Sequence, residues 1–311
     1  MGGEETNDRD LSAPFYAALK GALARRGVSF ESFCPAGDRV ARRVVEEYGA
    51  MFVAEGVRLP AACLFESEEE VTSFQREAGW RAEDLSGATV ELQPAAMGAL
   101  LRAREDVRAD GLDITPRGGS EAGRRSFADS LRLWRSRFEP ALEHWRARGR
   151  LAREEAERVR SLPLRAQVAA VLELESRGLF FSKDFSKSVL RSVAAPGASQ
   201  HLAMLAFDAS EFADARVRAA LARSGWFQTV LSDLPHFTQK RVPSTLSAPQ
   251  EGHAIIFLSF YTSAFGRRRF RGGLPRCVVQ CNSFRVKPEL LLGGFKARRA
   301  VTSLSHKRRK K

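Results

Sequence analysis

Between Ser199 and Phe237 two short apolar runs, Leu205–Phe207 and Trp226–Leu231, flank a helix-like segment. Pro196-Gly197 marks a turn ahead of the first run. Asp214 reads as a helix N-cap, Val217, Ala220 and Leu221 as the apolar face, and Gly225 as the stop after Arg223. The same stretch holds His201, Asp208, Asp233 and His236. A lone His or Asp beside an apolar run is ordinarily a structural residue satisfied by hydrogen bonds. Two imidazoles and two carboxylates in one unit point elsewhere. A catalytic zinc site needs three ligands of the His/Asp/Glu type, an open position for water and a carboxylate to take its proton. Two strands bridged by one helix bring His201, Asp208 and His236 to one end of a sheet. The offset of seven from His201 to Asp208 would place them on opposite faces of a straight strand, so a turn or bulge must lie between them.

These residues also carry a resemblance. Ser199, His201, Ala206 and Asp208 match S-x-H-x-x-x-x-A-x-D, and Asp233, Pro235, His236 and Phe237 match D-x-P-H-F. The pattern resembles that of the LAS zinc peptidases of the hedgehog/DD-peptidase fold. That family includes D-alanyl-D-alanine carboxypeptidases and L-alanyl-D-glutamate endopeptidases. The resemblance implies that His201, Asp208 and His236 bind Zn²⁺, that Asp233 is the general base, and that the substrate is a peptidoglycan stem peptide. Ser199 would orient a ligand or bind substrate. Met204 stands where the family has Gly, a residue that would make the required turn cheaply. Asp233 stands where the carboxypeptidase branch has Glu. The family also holds the substrate carboxylate with an Arg at the end of a strand that precedes a helix. Arg117, closing the strand-like run GLDITPRGG before a helix expected from Ala122, resembles that residue, and a guanidinium matches a carboxylate bidentately. Arg191, in the loop before the histidine motif, is a competing anchor.

The net charge of +13 does not describe this region. From Gln239 to Lys311 there are 17 Lys/Arg against 2 Asp/Glu, which leaves 33 against 35 in residues 1–238. The basic surplus therefore lies in the tail, where GRRRFRGG and SHKRRKK form like-charge blocks that stay disordered and could bind anionic polymers such as nucleic acid, phospholipid or wall polymers. Cys34 and Cys63 are far apart, and Cys277 and Cys281 lack a nearby His, so no disulfide framework or zinc knuckle is expected. As written, the chain shows no signal peptide and no transmembrane run, which implies a cytoplasmic protein acting on recycled peptides. A start further upstream would allow a periplasmic or extracellular one.

Helices are expected over Phe15–Arg26, from Asp38 through Phe52, over Glu68–Gly79 and over Gln93–Arg104. Ser126–Trp145 presents an apolar face of Leu131, Trp134, Phe138 and Leu142, with His144 structural. A charge-rich helix follows to Leu174, broken near Pro163, then Gly178 as its stop and a buried strand at Leu179–Phe181. The expected fold is α+β: a small, largely antiparallel sheet carrying the zinc site, wrapped by a large helical N-terminal part. Its expected divisions are a disordered stretch over 1–10, a helical region over 11–110, a zinc peptidase-like core over 111–238 and a basic disordered tail over 239–311. The expected function is zinc-dependent hydrolysis of a stem-peptide amide, D-Ala-D-Ala carboxypeptidase-like or L-alanyl-D-glutamate endopeptidase-like. The alternatives are a non-catalytic metal-binding module of that fold and a binder of nucleic acid or other anionic polymers acting through the tail.

Overall fold

The computed structural model describes residues 14–230 and 233–240. The segments expected to be disordered, 1–10 and all but the first two residues of 239–311, lie outside the described residues, as do Leu231, Cys277 and Cys281. The chain is mixed helix and sheet, with small antiparallel sheets among helices. The helices in order are α1 (Pro14–Ala24), α2 (Phe30–Phe33), α3 (Arg39–Tyr48), α4 (Glu68–Ala78), α5 (Pro94–Arg108), α6 (Phe127–Ala147), α7 (Arg153–Ser161), α8 (Leu164–Ser176) and α9 (Ala215–Arg223). The strands are β1 (Arg81–Leu85), β2 (Ala88–Leu92), β3 (Ala206–Asp208), β4 (Trp226–Phe227) and β5 (His236–Gln239).

Local chemistry fixes most helix ends. Asp38 caps α3 by accepting from the Ala41 N–H at 2.9 Å, and Ser67 caps α4 through Glu70 N–H. Asp214 caps α9 as its sequence predicts, and Gly225 follows its end with φ 87°. α6 begins later than Ala122. A 3₁₀ turn occupies Gly119–Ala122, and Ser126 and Asp129 then form a reciprocal capping box that starts the helix at Phe127. Pro163 is the N-cap of α8, so the charge-rich run is two helices.

Three strand expectations need correction. The N-terminal region is not wholly helical, because Arg81–Leu92 forms the β1–β2 hairpin around Ser86 and Gly87, both at positive φ (58° and 85°) as a two-residue primed turn requires. The run Gly111–Gly119 makes no strand; it contributes one bridge, Pro116 to Ala209, because Pro116 has no N–H for a ladder. Leu179–Phe181 is also not a strand. Leu179 and Phe181 are buried, but the Phe181 N–H bonds the Glu175 carboxylate rather than a neighbouring strand.

The second sheet has the order β3-β5-β4, antiparallel throughout. Asp208 lies directly across from His236, and Phe207 from Phe237. The pleat sends Phe207 and Phe237 into the core with Val217, Leu221 and Trp226, and turns Asp208 and His236 to the other face. Gln239 is the last residue of β5, its N–H bonded to Leu205 O at 2.8 Å, so the sheet runs past the expected boundary at residue 238. Strands this short are stable only when packed. One core joins the sheet to α1, α4, the hairpin, α5 and α9, and a second joins α3 to α6, α7, α8 and the segment before Ser199. Cys34 and Cys63 are buried free thiols, which burial pushes up to about 11 and about 12 respectively. No helix among the described residues is long and apolar enough to cross a membrane.

Gly197 is where the two ends of this arrangement touch. It sits at φ 82°, its carbonyl accepts from Phe65 N–H at 3.0 Å, and an added Cβ would stand 1.9 Å from Phe65 O. Gly197→Ala is therefore expected to destabilise the fold by about 3 kcal/mol or more, through the close contact as well as the left-handed backbone. Gly149, at φ 65° with open space around it, supplies the control: Gly149→Ala should cost only about 1 kcal/mol. Paired urea denaturation curves measure the difference.

Candidate metal centre

The chain reaches His201 through a single helical turn. Leu205 N–H bonds Gln200 O, and Met204 N–H bonds His201 O, the paired bonds of a Schellman ending, with Met204 at φ 56° in the left-handed position that usually holds glycine. This is the turn that the spacing of seven requires. It folds His201 back over β3, so that His201 and Asp208 meet although they could not on one strand. Met204 thus holds a left-handed backbone conformation that glycine would adopt without strain.

His201, Asp208 and His236 form a group that could hold a metal ion. His201 Nε2 lies 3.2 Å from His236 Nδ1 and 3.4 Å from Asp208 Oδ1, and His236 Nδ1 lies 3.2 Å from Asp208 Oδ1. Ligand atoms around a tetrahedral Zn²⁺ at its usual bond lengths stand about 3.4 Å apart. The outer partners decide where the protons are. His201 Nδ1 is 2.6 Å from Gly123 O, which can only accept, so that nitrogen carries the hydrogen and Nε2 a lone pair. Gln200 donates its Nε2 hydrogen to Tyr48 O at 2.7 Å, which turns its Oε1 toward His236 Nε2, also at 2.7 Å. His236 must then donate there, leaving a lone pair on Nδ1. Thr238 Oγ1 donates to the same Gln200 oxygen. Arg125 donates to Asp208 Oδ2 at 2.6 Å and leaves Oδ1 facing the histidines. Three acceptor atoms thus converge with no hydrogen among them, an arrangement that a cation satisfies.

Charge states agree with this assignment. Burial, aided by the Arg125 charge, lowers the His201 pKa to about 4 against the pull of Asp208, so the ring is neutral at pH 7. Burial alone would raise Asp208, but the Arg125 guanidinium 2.6 Å from its Oδ2 favours the ionised form. A metal ligand must be deprotonated, as His201 is at pH 7.

The group opens into a cavity of about 710 Å³ whose walls also include Tyr48, Ser199, Arg191 and Asp233. Asp233 begins the turn into β5, its carbonyl accepting from His236 N–H at 3.1 Å. It is solvent-exposed at the cavity. Lost hydration raises its pKa above the usual aspartate value, and Asp208 adds to this while His236, Arg125 and Arg117 oppose it. Ser199 lines the cavity next to His201. Arg117 does not line it. Its guanidinium lies over the Phe212 ring at 5.4 Å, and its N–H bonds Asp208 O at 2.8 Å, pinning the end of β3. Arg191, on a 3₁₀ turn over Val189–Arg191, is half-buried in the cavity wall. His144 stacks on Phe185 at 3.9 Å, away from the group.

Sequence reasoning missed Arg125, Gln200 and Gly123. Arg125 stands one residue before the Ser126–Asp129 capping box, a pattern that could have marked it as fixed at a helix start. Gly123 lets the chain approach β2, where an added Cβ would meet Glu91 O at 2.7 Å. No spacing rule flags Gln200, whose role depends on both neighbours.

Two substitutions separate these contributions. Gln200→Leu leaves His236 without its acceptor and should weaken any metal-ion binding at this group about 10–100-fold in a competition titration. Met204→Gly should relieve about 1 kcal/mol of left-handed strain but remove a fully buried side chain costing about 2–5 kcal/mol, for a net loss of roughly 1–3 kcal/mol in denaturant. The geometry of the His201–Asp208–His236 group should survive, because glycine keeps the turn. Compared with protein-family models, curated proteins and solved structures, the chain matches none, so the reading of this centre rests on its own geometry.

Proposed function

We propose that the chain is a zinc-dependent peptidase that hydrolyses an amide bond in stem peptides of the peptidoglycan type, with His201, Asp208 and His236 as the metal ligands. The observation that carries this reading is the convergence of three proton-free ligand atoms, each fixed from behind, at the floor of an open cavity that also holds a carboxylate of raised pKa. Two imidazoles and a carboxylate suit Zn²⁺ with one position left for water or substrate. When bound, zinc supplies a Lewis acid that polarises the scissile carbonyl and acidifies water.

The protein's own residues do the rest. Asp233 takes the proton of the attacking water and returns it to the leaving amine, and its raised pKa suits both halves of that transfer. Arg125 holds Asp208 ionised and aimed, so the ligand oxygen stays in place as charge shifts during the reaction. Gln200 and the Gly123 carbonyl keep both imidazoles in the metal-binding tautomer. Arg191 is the better placed of the two sequence-predicted anchors for a substrate carboxylate, since it lines the cavity and Arg117 does not. Stem peptides ending in D-Ala-D-Ala and those with an L-Ala-D-Glu bond both present a carboxylate near the scissile amide, and the resemblance of the motifs supports both.

Elemental analysis of the purified full chain should find one zinc per chain, lost in His201→Ala and in His236→Ala. A well-folded chain that takes up no zinc when it is supplied would end this reading. Asp233→Asn should keep its zinc and lose about 10²–10⁴-fold in kcat on peptidoglycan fragments. Asp233 acts in its ionised form, so kcat/KM should fall as pH drops through a pKa above the ordinary aspartate value, and the asparagine variant should lose that acid limb.

A further inference from the structure

The cavity has a second chemical feature that the metal centre does not use. Arg137, Lys183, Lys187 and Arg191 all line it. None of the four has a carboxylate within ion-pair distance among the described residues. The acids nearby are already engaged. Asp208 belongs to the ligand group and to Arg125. Asp184 accepts from the hydroxyls of Ser182 and Ser186, each at 2.7 Å, which holds its pKa down to about 2. Glu47, whose charge Arg191 feels, is paired to Arg43 at 2.6 Å. Asp184 keeps its charge and Asp233 is the other lining acid outside the ligand group, and two carboxylates do not balance four cations.

These cations are also held in place. Glu175, buried on α8, accepts from Phe181 N–H at 3.1 Å and from Val189 N–H at 2.6 Å, so one carboxylate clamps both ends of the 181–189 loop. Inside the loop, Ser182 Oγ accepts from Ser186 N–H and Lys187 N–H, both at 3.1 Å. Phe185, at φ 57°, stacks on His144 and ties the loop to α6. Arg137 Nε donates to Ser192 Oγ at 2.9 Å, which sets its guanidinium in the wall. A loop ordered this way presents charge without the cost of arranging it at binding. Burying a carboxylate to hold an exposed loop is otherwise an expensive way to build a surface.

We infer that this wall recognises anionic groups, and that the substrate is an acidic peptide bearing at least one carboxylate in addition to the one beside the scissile amide. The inference rests on the peptidase reading for the word substrate. The charge preference itself depends only on the wall. Arginine forks and lysine ammoniums accept carboxylates directly, and a cavity lined by one sign of charge concentrates ligands of the other.

Two fluorophore-labelled tetrapeptides ending in D-Ala-D-Ala, differing only in Glu or Gln at the first position, test it by anisotropy on the full, metal-free chain. The Glu peptide is expected to bind about tenfold more tightly at about 0.02 M salt, with the advantage shrinking at about 0.5 M. Lys183→Ala/Lys187→Ala removes two exposed lysines while leaving the basic C-terminal segment intact. The advantage should fall below about threefold in this variant, with melting temperature and zinc content unchanged. Equal affinities for the two peptides, or binding of neither, overturn the inference. A preference that the double variant retains overturns it too, since the charge would then be read elsewhere, the basic segment included. Zinc content is read separately, so a chain that binds no zinc yet keeps the preference removes the peptidase reading and leaves the anionic wall standing.

Discussion

Buried carbonyls in an irregular turn have no strand or helix of their own to satisfy them, and from Leu202 to Met204 three in succession face protein rather than water. Leu202 O accepts from Gln75 Nε2, Ala203 O from Gln93 Nε2, and Met204 O from Gln93 N–H. Gln200 supplies the fourth tie, to Tyr48 O on α3. Each glutamine is almost fully buried, and each comes from or reaches a different element. An unpaired buried carbonyl costs about 1–3 kcal/mol, so losing two or three of these bonds would outweigh the packing of a single side chain. The turn is the point to which α3, α4 and the start of α5 are all fastened, and it carries His201. His201, the first of the candidate ligands, is fixed because the backbone under it has been made part of the core.

The left-handed Met204 fits the same logic. A non-glycine residue there costs on the order of 1 kcal/mol, which the surrounding hydrogen bonds over-determine. In return, a buried thioether fills space that glycine would leave open. Methionine is a tolerable choice because it is unbranched at Cβ; a β-branched residue would clash harder with its own backbone at that φ. Methionine at this position therefore bears on the stability of the turn, whose left-handed geometry the surrounding bonds set.

What the sequence reveals follows from how local the determinants are. The N-caps Asp38, Ser67 and Asp214 act within three residues, so α3, α4 and α9 stand close to where periodicity predicts them. That His201, Asp208 and His236 come together is expected from their clustering in one strand-helix-strand unit. The antiparallel pairing of β3 with β5 accounts for Asp208 meeting His236, while the Met204 turn brings in His201. The β1–β2 hairpin could not be read, since Arg81–Leu85 carries few strand-forming residues and its turn depends on Ser86 at positive φ. Leu179–Phe181 looked like a strand because burial and strand propensity leave the same trace in sequence; Glu175, six residues before Phe181, takes the backbone N–H instead. Arg117 and Arg125 are eight residues apart, both before α6, and only the three-dimensional path decides which one meets Asp208. Long-range contacts such as Gln200 to Tyr48 have no local signature at all.

The centre itself opposes folding until something neutralises it. Two imidazole lone pairs and a carboxylate oxygen held 3.2–3.4 Å apart repel one another, and burial prevents water from separating them. The chain offsets part of this through Arg125, which takes the outer oxygen of Asp208, and through the acceptors Gly123 O and Gln200 Oε1 on the outer ring nitrogens. It does not remove the convergence, and a single histidine-to-leucine change would have done so. Structural cores discard such arrangements because each unpaired acceptor lowers stability. One that is supported from behind at every ligand, and left open on the cavity side alone, is shaped to gain its missing stabilisation from a bound cation. By linkage, a cation that binds the folded state alone would add stability set by its affinity and its concentration.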